Sequence, residues 1–137
     1  SCTGGLMAQL LTSEPANDYL AGCLVTSSND AKEKLLGVPD SLLEEHGAVS
    51  TPVAKALTIG TARALEAAFA VATTGIAGPT GGTEDKPVGL VYYAVAYPGG
   101  VQVRHQVFFG DRSRVQRIAA FSALQLLRTC IASPTGC

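Results

Sequence analysis

The sequence predicts an α/β sandwich built on a mixed sheet. Three observations carry that reading. Helix-period and strand-like apolar runs follow one another in the order helix, strand, helix, helix, strand, hairpin, helix. A glycine-rich stretch, Thr73 to Gly89, leaves one fully apolar run, Ala68 to Ala72, and enters another, Val88 to Val95. With 47% apolar and 15% charged residues, the 137-residue chain can bury one good core, so residues 1–137 are read as a single domain.

Ser1-Cys2-Thr3-Gly4-Gly5 opens without a preceding element, and Leu6 to Leu11 reads as a helix. Ser1 or Thr3 can cap it. Alternatively, its free N–H groups form an anion site. After a polar connection broken by Pro15, Tyr19 to Thr26 is apolar and suits a buried strand. Ala31 to Leu36 is helical, with Ser28 or Ser27 as N-cap. Lys32 falls in its first turn, where a cation opposes the helix dipole. It is either a plain exposed lysine or one kept for another purpose.

Gly37-Val38-Pro39 ends that helix, and Asp40 is expected to cap a short amphipathic turn through Leu42 and Leu43. His46 to Val49 is a connection, and Ser50-Thr51-Pro52 starts a helix that should run to about Ala67. Phe69 to Thr73 is the strand feeding the glycine stretch. Val88–Ala96 and Val101–Phe109, joined by Tyr97 to Gly100, form a β-hairpin. In its second arm Val101, Val103, His105, Val107 and Phe109 share one face, which reads His105 as a satisfied half-buried histidine in preference to a catalyst. Asp111 caps the last helix, which runs to about Cys130, and Ser133 to Cys137 should fray.

The glycine stretch follows a strand, where open α/β sheets bind ligands, and its backbone can lie directly against one. It also reads as a long surface loop with turn chemistry. Net charge is −1 without a Lys/Arg run, so neither nucleic acid nor a membrane surface has electrostatic support as a partner. No apolar run is long enough to span a bilayer; no signal peptide is read ahead of the fold, and the abrupt opening leaves a missing leader as the alternative. Cys2, Cys23, Cys130 and Cys137 form no C-x-x-C, and His46 and His105 lie far apart, so no metal site is expected. Buried free thiols in a reducing cytoplasm follow from the same pattern, with no disulfide among Cys2, Cys23 and Cys130.

Five motifs in order resemble the C-terminal domain of the CinA family, the nicotinamide-nucleotide amidases. They are Ser1 to Gly5; Ser28-Asn29-x-Ala31-Lys32 with Leu36-Gly37-Val38; His46 to Ser50; Thr74 to Pro79 with Gly81-Gly82 and Lys86 to Gly89; and Gly110-Asp111-Arg112. The resemblance implies a three-layer α/β/α sandwich with a mixed β-sheet. It also implies hydrolysis of the amide of nicotinamide mononucleotide to nicotinic acid mononucleotide and ammonia, with no metal and no cofactor. Serine chemistry assisted by lysine carries over onto Ser1 and Lys32. Substrate contacts fall on Thr3, Gly4, Gly5, Ser28, Asn29, Thr74, Gly75, Ile76, Ala77, Gly78, Lys86 and Arg112. A pyridine nucleotide is the implied small-molecule partner; a homodimer or larger assembly is expected from the hairpin's exposed edge as well as from the resemblance, and a cytoplasmic location from the cysteine pattern.

The chain departs from the family pattern in three places. Pro15-Ala16-Asn17 stands where the family carries Gly-Ser-Ser, and Ser27 where it carries tyrosine. The family's first helix and strand, ahead of Ser-Cys-Thr-Gly-Gly, are missing from this chain. A second reading therefore keeps the scaffold as a catalytically weak nucleotide-binding or dimerisation module.

Overall fold

A computed structural model describes residues 1–133, 135 and 137. Its elements are α1 (Leu6–Leu11), α2 (Asn29–Leu36), α3 (Asp40–His46), α4 (Thr51–Ala64), β1 (Ala70–Gly75), β2 (Leu90–Tyr97), β3 (Gly100–Val107) and α5 (Arg112–Ala132). The α/β class holds. Among the described residues, however, the sheet is three antiparallel strands in the order β1-β2-β3, not a mixed one. Each arm reaches its neighbour through a return connection, so no parallel crossover occurs.

Alternate residues of the strands face opposite layers. On one face Val71, Val91, Tyr93 and Val95 pack with Val115, Ala119, Ala123 and Leu126 of α5 and with Met7 of α1. On the other, Ala72 packs with Leu36, Leu43, Val53 and Leu57 of α2, α3 and α4. The sheet is therefore the middle of three layers. The α2–α4 crossing is closed by Gly60, where a Cβ would lie 2.1 Å from the Leu36 carbonyl oxygen.

Several sequence expectations change. Tyr19 to Thr26 is not a strand: residues 20–27 form no regular element and have no ladder partner among the described residues, and Val25 is 53% exposed. α1 is not capped by Ser1 or Thr3; its N-cap is Gly5, with φ of 92° and no side-chain bond. Ser28 does cap α2, accepting from the Ala31 N–H at 3.1 Å. Asp40 lies inside the first turn of α3, whose N-cap is Pro39, and α3 takes in His46. α4 stops at Ala64, where Leu65 and Glu66 leave helical geometry.

The hairpin and the Asp111 cap form as expected. β3 ends at Val107, so the alternation fails beyond it: Phe108 is buried and Phe109 is 81% exposed. His105 is exposed, resting 4.9 Å from the Tyr92 ring. The thiols are also not all buried and free. Cys23 is exposed, Cys2 is half-buried, and Cys130 pairs with Cys137, which ties the tail to the α5 face instead of leaving it to fray. The rest of that tail expectation, at residues 134 and 136, lies outside the described residues. None of the described helices is long and apolar enough to cross a membrane.

Candidate functional site

Lys32 is the one buried charged side chain among the described residues, only 2% exposed. Helical side chains lean toward the N-terminus of their helix. The Lys32 stem therefore folds back over the start of α2. Its amine donates to the carbonyls of Thr26 (3.1 Å), Ser27 (3.1 Å) and Ser28 (3.4 Å). An ammonium has three donors, and each here has an acceptor. Burial pulls the amine's pKa below its ordinary value, and the neighbouring Cys2 thiol opposes that by favouring the charged form. The exposed-lysine reading is thus overturned: the cation is held in a socket of backbone oxygens.

Cys2 links this socket to the first segment. Burial pushes its thiol up, and Ser1, Thr73 and Arg112 act in the opposite direction. The backbone of Thr73 in β1 turns away from β2, and its carbonyl accepts from the Ser1 backbone nitrogen at 2.6 Å. Ser1 Oγ donates to the same carbonyl at 3.4 Å, and the Thr3 and Thr73 hydroxyls meet at 3.2 Å. Gln116 donates to the Cys2 carbonyl at 2.9 Å. Ser1 to Thr3, the end of β1 and the start of α5 are therefore one rigid corner.

The glycine stretch is positioned from outside itself. Thr74, fully buried, donates to the Ala48 carbonyl at 2.8 Å. Lys86 donates to the His46 carbonyl at 2.6 Å, and Arg112 to the Gly78 carbonyl at 2.8 Å. The Ile76 N–H is spent on Leu90, and the Ile76 carbonyl on Gly89. The Ala77 and Gly78 N–H groups have no backbone acceptor among the described residues. Of these three N–H groups, that of Ile76 is thus spent, and those of Ala77 and Gly78 have no backbone partner among the described residues.

The expected site residues accordingly divide. Ser1, Thr3, Thr74, Ile76, Gly78, Lys86 and Arg112 belong to this bonded framework, and Gly75 ends β1 against Val91. Gly4, Ser28 and Asn29 are exposed around it, and Gly5 starts α1. Ser1 Oγ and Lys32 share no hydrogen bond. The contributions of Cys2, Thr73 and Gln116 were missed. Thr73 lay inside the glycine stretch, and its place two residues before Gly75 on one edge of β1 was the available signal. Gln116, one turn after Arg112, was another. Among the described residues no group of histidine, cysteine or acidic side chains is arranged to hold a metal ion.

Residues 1–131 match the family model described as the CinA C-terminal domain. A "CinA-like protein" of Anaeromyxobacter dehalogenans (strain 2CP-1 / ATCC BAA-258) is 54% identical over 132 residues, covering 96% of this chain and 32% of its own length. The chain therefore spans about a third of the length of the curated relatives it matches. Two solved structures are similar. One is the competence damage-inducible protein A (ComA) of Klebsiella pneumoniae subsp. pneumoniae MGH 78578, with TM-score 0.92 and 32% identity over 97% of this chain and 83% of that one. The other is the competence/damage inducible protein CihA of Agrobacterium tumefaciens, with TM-score 0.87 and 38% identity over 94% and 80%.

Proposed function

The chain belongs to the CinA C-terminal domain family, and from that premise we propose that it is an amidohydrolase converting nicotinamide mononucleotide to nicotinic acid mononucleotide and ammonia. The observation that carries the proposal is the Lys32 amine, buried in a socket of backbone carbonyls, depressed in pKa by that burial and coupled to the neighbouring Cys2 thiol. A desolvated lysine is a suitable proton acceptor for a serine hydroxyl. A neutral Lys32 keeps two N–H donors for two of its three carbonyls. The 3.4 Å contact to Ser28 is the least costly one to release.

In the proposed reaction Ser1 Oγ gives its proton to Lys32 Nζ and attacks the carboxamide carbon. Its 3.4 Å bond to the Thr73 carbonyl is weak enough for substrate to displace. The Ala77 and Gly78 N–H groups are the donors we assign to the oxyanion. Collapse breaks the C–N bond, and the leaving nitrogen takes the proton from Lys32 and departs as ammonia. Water then attacks the acyl ester, gives one proton to Lys32, and Ser1 recovers it as the acid leaves. Arg112 and Lys86 supply positive charge for the substrate phosphate, while Thr3, Gly4, Gly5, Ser28, Asn29, Thr74, Gly75 and Ile76 shape the walls.

The test is ammonia release after nicotinamide mononucleotide is added to the purified chain, followed with Ser1→Ala beside the wild type. Turnover in the wild type and its loss in the variant is the expected result. Saturable binding of the mononucleotide with no ammonia would replace this reading with that of a binding module. A second copy of the chain is the macromolecular partner we assign, because β3 leaves Arg104, His105 and Gln106 exposed on the outer strand. Sedimentation at micromolar concentration should give a species heavier than 14.0 kDa.

A further inference from the structure

The proposed reaction leaves one half-buried amide of α5 without a role. Gln116 Nε2 donates to the Cys2 carbonyl at 2.9 Å, across 114 residues of sequence. That carbonyl belongs to a tight turn. The Gly4 N–H donates to the Ser1 carbonyl at 3.1 Å, which makes Ser1–Gly4 a β-turn with Cys2 and Thr3 at its centre. A β-turn bonds its first residue to its fourth and leaves the carbonyl of its central peptide without a partner. Gln116 is that partner. The approach is close, since a Cβ on Gly4 would lie 3.5 Å from Gln116 Nε2. The same helix also reaches the other wall of the site. Arg112, one turn earlier on the same side of α5, donates to the Gly78 carbonyl at 2.8 Å. Four residues of helix rise about 6 Å. α5 therefore holds the segment of the nucleophile and the loop of the oxyanion donors at a fixed spacing. Attack needs both of them within about 3 Å of one carboxamide.

We infer that Gln116 is a positioning residue for the amidase reaction: it holds the turn that carries Ser1 in register with the Ala77 and Gly78 donors and touches no substrate itself. The inference rests on Ser1 being the nucleophile of the proposed reaction. A polar cavity of about 360 Å³ opens beside the amide, lined also by Gln9, Ser113 and Arg117. It has room for a longer side chain, so the residue can be changed while the donor is kept. Arginine carries its Nε–H the same number of bonds from Cα as the Gln116 Nε2–H. The rest of its guanidinium would enter the cavity.

The experiment compares wild type with Gln116→Met, which keeps the length and loses the donor, and with Gln116→Arg, which restores a donor. Exchange of the Gly4 amide should speed by about tenfold in Gln116→Met, with core amides such as Val95 unchanged, and return toward wild type in Gln116→Arg. Ammonia release from nicotinamide mononucleotide should show kcat lowered by about tenfold at unchanged KM in Gln116→Met, and recovered in Gln116→Arg. Wild-type exchange at Gly4 in Gln116→Met would overturn the clamp. Faster exchange with unchanged kcat would reduce it to a structural bond and overturn the positioning role. A raised KM at unchanged kcat would put Gln116 against substrate and overturn it too, as would a loss that arginine fails to recover. A wild type that releases no ammonia would overturn the amidase reading and this role with it. Turnover in the wild type that both variants match sinks this inference alone.

Discussion

The two walls of the candidate site are built in opposite ways. On the α2 wall one side chain carries the charge, and backbone holds it: the Lys32 amine sits among the carbonyls of Thr26, Ser27 and Ser28. On the glycine wall backbone carries the donors, and side chains hold it: Thr74, Lys86 and Arg112 anchor loop carbonyls at positions 48, 46 and 78. The difference sets how each wall fails. Removing Lys32 removes the chemistry and the partner of three carbonyls together. Removing any one anchor of the glycine wall leaves the loop amides in place and only loosens them.

The largest effect is therefore expected from Lys32→Met. Loss of a general base costs on the order of 10²-fold or more in turnover. Stability should also fall, by about 2 kcal/mol, because the buried Thr26 carbonyl is left without a donor. Urea unfolding beside the ammonia assay checks both at once. A variant that is as stable as wild type would show that the socket is open to water.

The pH dependence of the same pair follows from the depressed Lys32 pKa. Between its folded value and the ordinary lysine value, the unfolded chain holds a proton that the folded chain has released. Stability of the wild type therefore rises with pH across that window, whereas Lys32→Met lacks the effect. Below the folded value the desolvation penalty is fully present. Turnover should climb over the same range as the amine becomes neutral. A rate that falls as pH rises through it would remove Lys32 as base.

Much of this contrast was legible in the sequence. Ser28 as the α2 cap, Asp111 as the α5 cap and the hairpin follow from local chemistry, which short-range bonds decide. The mismatch of Lys32 with the helix dipole signalled a second purpose for it, though not burial, which depends on carbonyls at residues 26 to 28 folding under it. Strand partners were not legible. Tyr19–Thr26 is apolar enough for a strand, but pairing needs a neighbour, and periodicity carries no information about whether one is present. Thr73 was missed for a related reason. Its role comes from a carbonyl exposed at a sheet edge, and every residue has a carbonyl.

On the glycine wall, Thr74→Val should have the clearest effect. The substitution keeps the shape, buries a methyl in place of the hydroxyl and leaves the Ala48 carbonyl unpaired. A loss of about 1–2 kcal/mol is expected, read as a lower urea midpoint at unchanged slope. Arg112→Gln comes next. Arg112 is exposed, so stability should move by less than about 0.5 kcal/mol. If its charge meets the substrate phosphate, KM rises by about tenfold with kcat unchanged. A fall in kcat with KM unchanged would instead place Arg112 with the reacting amide through its bond to the Gly78 carbonyl.

Lys86→Met is the smallest effect and the sharpest comparison, since the residue type matches Lys32 and only the surroundings differ. Among the described residues its amine has one acceptor, the His46 carbonyl at 2.6 Å, and the side chain is half-buried in place of sealed. Water can replace the amine at that carbonyl, so the acceptor is not orphaned when the lysine is removed. The expected cost is about 0.5–1 kcal/mol, the net value of one hydrogen bond, with no change in the pH profile of turnover. If Lys86→Met instead costs as much as Lys32→Met, the two walls are equally dry, and the contrast drawn from burial fails at the residue where it is easiest to measure.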